Sequence, residues 1–272
     1  MSVVSAFLVP GSPLPMVKRD NPCWGEMASA MEAAGERLRA SKPDAILLYS
    51  TQWLAVLDQL WQTRERSTGV HVDENWHEYG DLPFDIRADH ALAEACVAAV
   101  TSAVVRSKEV DYDQFPIDTG TIVAKHFLVG DADIPFVICA NNLYHDGETT
   151  EKIGRVAAAE AEIHGRRVAV VGVGGLSGSF FRHEIDIATD HVAEPAEDEW
   201  NKRILDLLAA GDLEGLRAVW DDYCKEAKVD MGFKHLSFVL GGLDDHYDSA
   251  EVLGYGPLYG TGGAVVHFTP KS

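Results

Sequence analysis

The sequence predicts an α/β fold: one domain over residues 1–272, with a central mixed, mostly parallel sheet and helices on both faces. Three observations predict it. The apolar run Ser5–Val9 is cut off by Pro10, Gly11, Pro13 and Pro15, the pattern of a buried strand that ends in a rigid loop. A second run, Ala45–Tyr49, leads in the same way into Ser50, Thr51, Gln52 and Trp53. Between them Glu26–Ala40 carries Ala, Met and Leu at helical spacing, with Gly35 its only breaker. Strand, helix, strand in succession is a βαβ unit, which requires a parallel sheet. If the two strands are neighbours, both loops open into one crevice, where open α/β sheets hold ligands.

The remaining elements follow in order. Trp53–Trp61 reads as one or two strands, and His71–Asp85, polar and aromatic with Gly80 and Pro83, as a loop. Ala88–Val105 is alanine-rich with an apolar stripe and predicts a helix. Asp118–Leu128 predicts a helix with Asp118 at its N-cap. Ile134–Ala140 is a third buried strand, ending in the polar pair Asn141-Asn142. Thr149–His164 is a further helix and Arg167–Val173 a fourth strand. Glu199–Ala210 is amphipathic and closed by Gly211; Asp212–Cys224 and Phe233–Leu243 also read as helices. Glu251–Tyr255 and Gly263–Phe268 end the chain as two short strands. No repeat, linker or low-complexity segment divides it.

Bulk properties narrow the function. A chain of 272 residues, 46% of them hydrophobic, supports one large core. The net charge of -20 repels nucleic acid phosphates and anionic membranes. Four cysteines, none in CxxC spacing, argue against a zinc or redox motif, and Cys96 and Cys139 lie in apolar runs as core residues do. Met1 leads straight into the first strand with no basic start, and the apolar runs are too short to cross a bilayer, so a cytoplasmic protein is expected.

The loops carry a resemblance. Phe7-Leu8-Val9-Pro10, Lys42-Pro43-Asp44, Asp118-Thr119-Gly120-Thr121-Ile122 and Ile134-Pro135 are similar to the frame of the class III extradiol ring-cleavage dioxygenases, the protocatechuate 4,5-dioxygenase-like superfamily. The likeness runs from Ser5 to about Val266. Catalytic members hold a ferrous ion with a histidine after the first strand, a second in a Ser-Pro-His-Trp-like loop, and a later glutamate. This chain has Gly11 at the first position and Gln52 at the second. Glu226 and Asp230 are the carboxylates within reach of the third. Of two acid–base histidines in the family, the resemblance matches one to His126, while the loop Leu176-Ser177-Gly178 has Gly178 in place of the other. Gly11, Gln52, His126, Gly178, Glu226 and Asp230 are thus expected to form a vestigial pocket without metal or catalysis.

Within the superfamily the likeness is to two-subunit members. It implies an iron-free, non-catalytic α subunit that supports or regulates a homologous catalytic β subunit. An α2β2 heterotetramer is expected, with Fe(II) in the β subunit and ring cleavage of 2-aminophenol or a substituted 2-aminophenol by O2.

Other constellations were weighed against this. Gly172–Gly178 (GVGGLSG) follows a strand but lacks the third glycine of a dinucleotide fingerprint, and reads as the site loop. His71 and His77, spaced i, i+6, suit neither face of a helix and read as solvated. The segment His183–His191, with Glu184, Asp186 and Asp190, is the best independent metal candidate; its plainer reading is a charged segment at the crevice mouth or a subunit contact. It supports the alternative of an independent metalloenzyme or small-aromatic binder. No Ser-His-Asp set with a nucleophile elbow and no aromatic stacking platform is present.

Overall fold

The computed structural model describes residues 2–271. The chain opens with β1 (Val3–Val9), a short α1 (Leu14–Val17) and the crossover helix α2 (Pro22–Ser41). The helix begins earlier than its apolar period shows, because the Asn21 side chain accepts from Trp24 N and Pro22 occupies the first turn. Then follow β2 (Ala45–Ala55), β3 (Gln59–Gln62), β4 (Arg66–His71), β5 (Leu82–Arg87), α3 (His90–Ala103) and β6 (Ser107–Val110). Next come α4 (Thr119–Ala124), continued by a π-turn at Lys125–Val129, β7 (Phe136–Asn142), α5 (Gly147–Ile163) and β8 (Val168–Val173). The chain ends with α6 (Pro195–Ala210), α7 (Leu213–Glu226), a 3-10 turn at Asp230–Phe233, α8 (Lys234–Gly242), β9 (Tyr247–Leu258) and β10 (Thr261–Pro270).

Eight strands form one mixed sheet in the order β6-β3-β7-β2-β8-β1-β10-β9, with β4 and β5 in a separate hairpin. β7, β2, β8 and β1 run parallel at its centre, and β3 and β10 join them antiparallel. This is the predicted α/β class. Three expectations need correction. β1 and β2 are not neighbours, because β8 lies between them and pairs with both. Their loops still open at the same end, with the loop after β8 between them. The predicted loop His71–Asp85 is in part a hairpin, since Arg66–Arg87 through His71–Leu82 pair antiparallel. The two short terminal strands are a single long hairpin, turned by Tyr259 (φ 58) and Gly260 (φ 88).

Each face of the sheet buries its own core. One packs under α3, α5, α6, α7 and α8 and includes Leu47, Val170, Ile153, Tyr223 and Phe238. The other packs under α2 and α4 and includes Phe7, Leu48, Trp24, Met31 and Ile122. Helix α8 is buried along its whole length. It reaches that position because glycines let backbones touch: a Cβ at Gly154 on α5 would lie 2.2 Å from the Phe238 carbonyl, and one at Gly241 1.9 Å from the Glu151 carbonyl.

Candidate functional site

The carboxyl ends of β1, β2 and β8 meet at a crevice of ≈ 390 Å³. Pro10, Gly11 and Ser12 come from the loop after β1, Gln52 from β2, and Gly175, Ser177 and Gly178 from the loop after β8. Lys228, Val229, Asp230 and Met231, just ahead of α8, and Leu258, Thr261 and Gly262 at the hairpin tip complete the wall. Four of the six sequence-predicted residues, Gly11, Gln52, Gly178 and Asp230, therefore share one crevice.

Gln52 and Gly11 are coupled. The Gln52 amide Nε2 donates to the Gly11 carbonyl at 3.2 Å. A Cβ at position 11 would lie 2.9 Å from that nitrogen and 3.2 Å from Val173 Cγ1. The amide stands where a side chain at position 11 would start, although it ends an exposed, flexible side chain that can swing aside.

Asp230 is held by its neighbours. Its Oδ2 accepts from Thr51 Oγ1 at 2.7 Å and from Gly175 N at 2.9 Å. The backbone around it is strained: Lys228 (φ 49), Met231 (φ 46) and Phe233 (φ 63) are left-handed without being glycine.

The glycine-rich loop after β8 packs onto this same segment. A Cβ at Gly172 would lie 2.4 Å from the His235 carbonyl, one at Gly174 2.7 Å from His235 Nδ1, and one at Gly178 2.3 Å from the Lys228 carbonyl. The loop leads into irregular chain and not into a helix, so no helix N-terminus is present to receive a phosphate. Close packing, and not nucleotide binding, accounts for its glycines.

His235 lies beneath Gly174, fully buried, with neither ring nitrogen in a hydrogen bond of good geometry and the Gly175 backbone its nearest polar neighbour. Burial pushes its pKa down from 6.5 to about 4, with the nearby Asp230 charge opposing the shift, so the ring is neutral. Beside it, buried Lys234 donates to the Asn142 carbonyl at 2.6 Å, and burial lowers the ammonium's pKa.

Two predicted pocket residues lie elsewhere. Glu226 ends α7, where its Oε2 accepts from Trp200 Nε1 at 2.8 Å. His126 sits exposed on the π-turn after α4, its ring edge-on to Phe127. The part of that segment at the crevice end is the first turn of α4. There Asp118 accepts from Ser50 Oγ at 2.5 Å and caps Thr121 N, and a Cβ at Gly120 would lie 2.9 Å from Val173 Cγ1, close to Gly11. His126 follows a turn and a half later and is carried away from the crevice.

The residues at the crevice do not fit a two-histidine, one-carboxylate ferrous site. Gly11 offers no side-chain donor, and the Gln52 amide is committed to Gly11. Among the described residues, Asp230 is the only carboxylate in the wall.

The segment His183–His191 is committed to structure. Asp190 Oδ2 accepts from Trp24 Nε1 at 2.8 Å and Tyr259 N at 2.7 Å, and its Oδ1 accepts from Gly260 N at 3.0 Å. Asp186 caps a 3-10 turn, and His183 and His191 both lie against the Phe181 ring. Among the described residues, the one group of three potential ligand atoms within 4.8 Å of one another is His71, Asp73 and Glu74. There His71 Nε2 is already bonded to Thr119 Oγ1 at 2.8 Å, and His77 stands apart on an exposed turn.

Sequence reasoning missed Thr51 and His235. The signal for His235 was present, a Lys234-His235 pair inside an apolar helical run. Thr51 had none, since only the fold brings it to Asp230.

The fold and the crevice define a class: a parallel-centred α/β protein with a crevice where its central strands end, the place where such sheets hold ligands. The family model described as the catalytic LigB subunit of aromatic ring-opening dioxygenase matches residues 9–268. The chain belongs to this LigB family. It is 53% identical over 270 residues to the 2-aminophenol 1,6-dioxygenase alpha subunit of a Pseudomonas species, covering 99% of this chain and 100% of that one. It is 27% identical over 286 residues to the beta subunit of the Pseudomonas 2-aminophenol 1,6-dioxygenase, covering 98% of this chain and 93% of that one. Among solved structures, an uncharacterized Escherichia coli K12 protein shares the fold with a TM-score of 0.68 at 15% identity, over 97% of this chain and 99% of that one.

Proposed function

We propose that this chain is the non-catalytic, iron-free α subunit of a heteromeric extradiol dioxygenase that cleaves 2-aminophenol, or a substituted 2-aminophenol, with O2. A homologous β subunit carries Fe(II) and the chemistry, in an α2β2 assembly. The role of this chain is to support or regulate that partner. One observation carries the reading: at the crevice the Gln52 amide stands in front of Gly11 and is bonded to its carbonyl, leaving Asp230 as the single anionic donor among the described residues. The likeness to an alpha subunit over 100% of that relative's length supports the subunit assignment.

The test uses the assembled complex. Asp230→Ala in this chain is expected to leave the turnover of 2-aminophenol by the complex within about twofold. A fall of about 100-fold or more, the scale expected when a transition-state group is removed, would place the chemistry in this crevice. Sedimentation of the same sample tests the α2β2 stoichiometry.

A further inference from the structure

We propose that the crevice of this chain is a binding site for a small organic cation, a primary amine carrying one ring, anchored by the Asp230 carboxylate. The inference rests on the iron-free reading above, since a ferrous ion would take the same carboxylate.

Asp230 makes no close ion pair among the described residues, although the buried Lys234 ammonium is near enough to feel its charge. Its two hydrogen bonds, from Thr51 and Gly175, both fall on Oδ2, and among the described residues no partner is recorded for Oδ1. Both lysines of this segment direct their hydrogen bonds elsewhere. Lys228, on the same wall, reaches Ser179 Oγ at 2.6 Å and Glu197 Oε1 at 3.2 Å. Lys234 donates to the Asn142 carbonyl. His235, beneath, is buried and neutral and adds no charge.

The surroundings suit a ring. Pro10, Val229, Met231 and Leu258 supply apolar surface, and the glycines expose flat backbone. At ≈ 390 Å³ the space lies in the range of small-molecule sites. The left-handed backbone at Lys228, Met231 and Phe233 brackets the carboxylate, and such strain gathers at ligand clamps. An ammonium facing Oδ1 forms a charge-assisted hydrogen bond. A hard metal ion needs several oxygen ligands, and one carboxylate does not supply them.

The test is a calorimetric titration of the full chain at neutral pH with benzylamine, benzyl alcohol and benzoate. Benzylamine is expected to bind at one site, at least about tenfold more tightly than benzyl alcohol, with no binding of benzoate. Asp230→Asn is expected to abolish that preference, while Glu199→Gln, an exposed charge removed from α6, keeps it. Equal affinity for the amine and the alcohol, no binding of either, or a preference that survives Asp230→Asn overturns the proposal. The comparison of ligands on the unaltered chain stands even if the Asp230 variant misfolds. Iron analysis of the same sample separates the two failures. Iron in the crevice sinks the non-catalytic reading, whereas an iron-free chain with no amine preference sinks this inference alone.

Discussion

At position 11 a side chain and the Gln52 amide compete for one volume, because a Cβ there would lie 2.9 Å from Nε2. Replacing either residue alone still leaves one ligand missing. Gly11→His with Gln52→His is expected to be the minimum change that lets Fe(II) bind, with Asp230 as the third ligand. Anaerobic equilibrium dialysis against ferrous ion should give about one iron per chain for the double variant and essentially none for either single variant. Tight iron in the unaltered crevice would contradict this. His235 makes a second prediction at the same scale. Its folded pKa lies below its unfolded value of 6.5, so between the two the unfolded chain holds the extra proton. The neutral ring's contribution is complete above about pH 6.5 and is lost as pH falls toward 4. Denaturant titrations between pH 6 and 5 should show His235→Gln flattening the pH dependence by on the order of 1 kcal/mol per pH unit. Equal slopes for the two proteins would show that the ring titrates freely. Gly11, Gln52, Gly178 and Asp230 were legible through the family resemblance of the loops that flank the apolar runs. His126 misled because a histidine close to the right place in sequence is six residues, and the wrong side of a helix, away in space.

At the scale of elements, the close packing of α5 on α8 depends on positions where no side chain fits. Gly154→Ala and Gly241→Ala put a methyl against a carbonyl that cannot retreat without moving a helix. Each is expected to cost about 2–3 kcal/mol in urea denaturation. Gly211, left-handed at the end of α6 with nothing near its missing Cβ, should cost only about 1 kcal/mol on replacement by alanine. Equal losses at all three sites would mean that backbone conformation and not contact sets the cost. The central strands and the longer helices were legible from apolar runs and helical period. The β4–β5 hairpin was not, because Arg66–His71 is mostly exposed and has no apolar alternation. β9 and β10 extend beyond their apolar cores because Gly256-Pro257 and Gly262 break the pattern without breaking the strands.

Over the whole molecule, the family frame is present, and the proposed function takes the metal donors to be missing from it. The two-faced core, the strand order and the crevice at the carboxyl ends are those of a ring-opening dioxygenase family member. No helix among the described residues is long and apolar enough to cross a membrane. Under the proposed function the fold is kept because the scaffold must still meet the partner subunit. The position of β8 between β1 and β2 was not legible, because strand order depends on crossovers that local pattern does not encode. The central claim, that the iron and the chemistry belong to the partner, is tested most directly by measuring iron per chain and 2-aminophenol turnover. Both are measured for this chain purified alone, for its homologous partner alone, and for the two mixed. The account predicts essentially no iron and no turnover in this chain alone, with iron in the partner and full turnover in the mixture. Stoichiometric iron with turnover in this chain alone would contradict it.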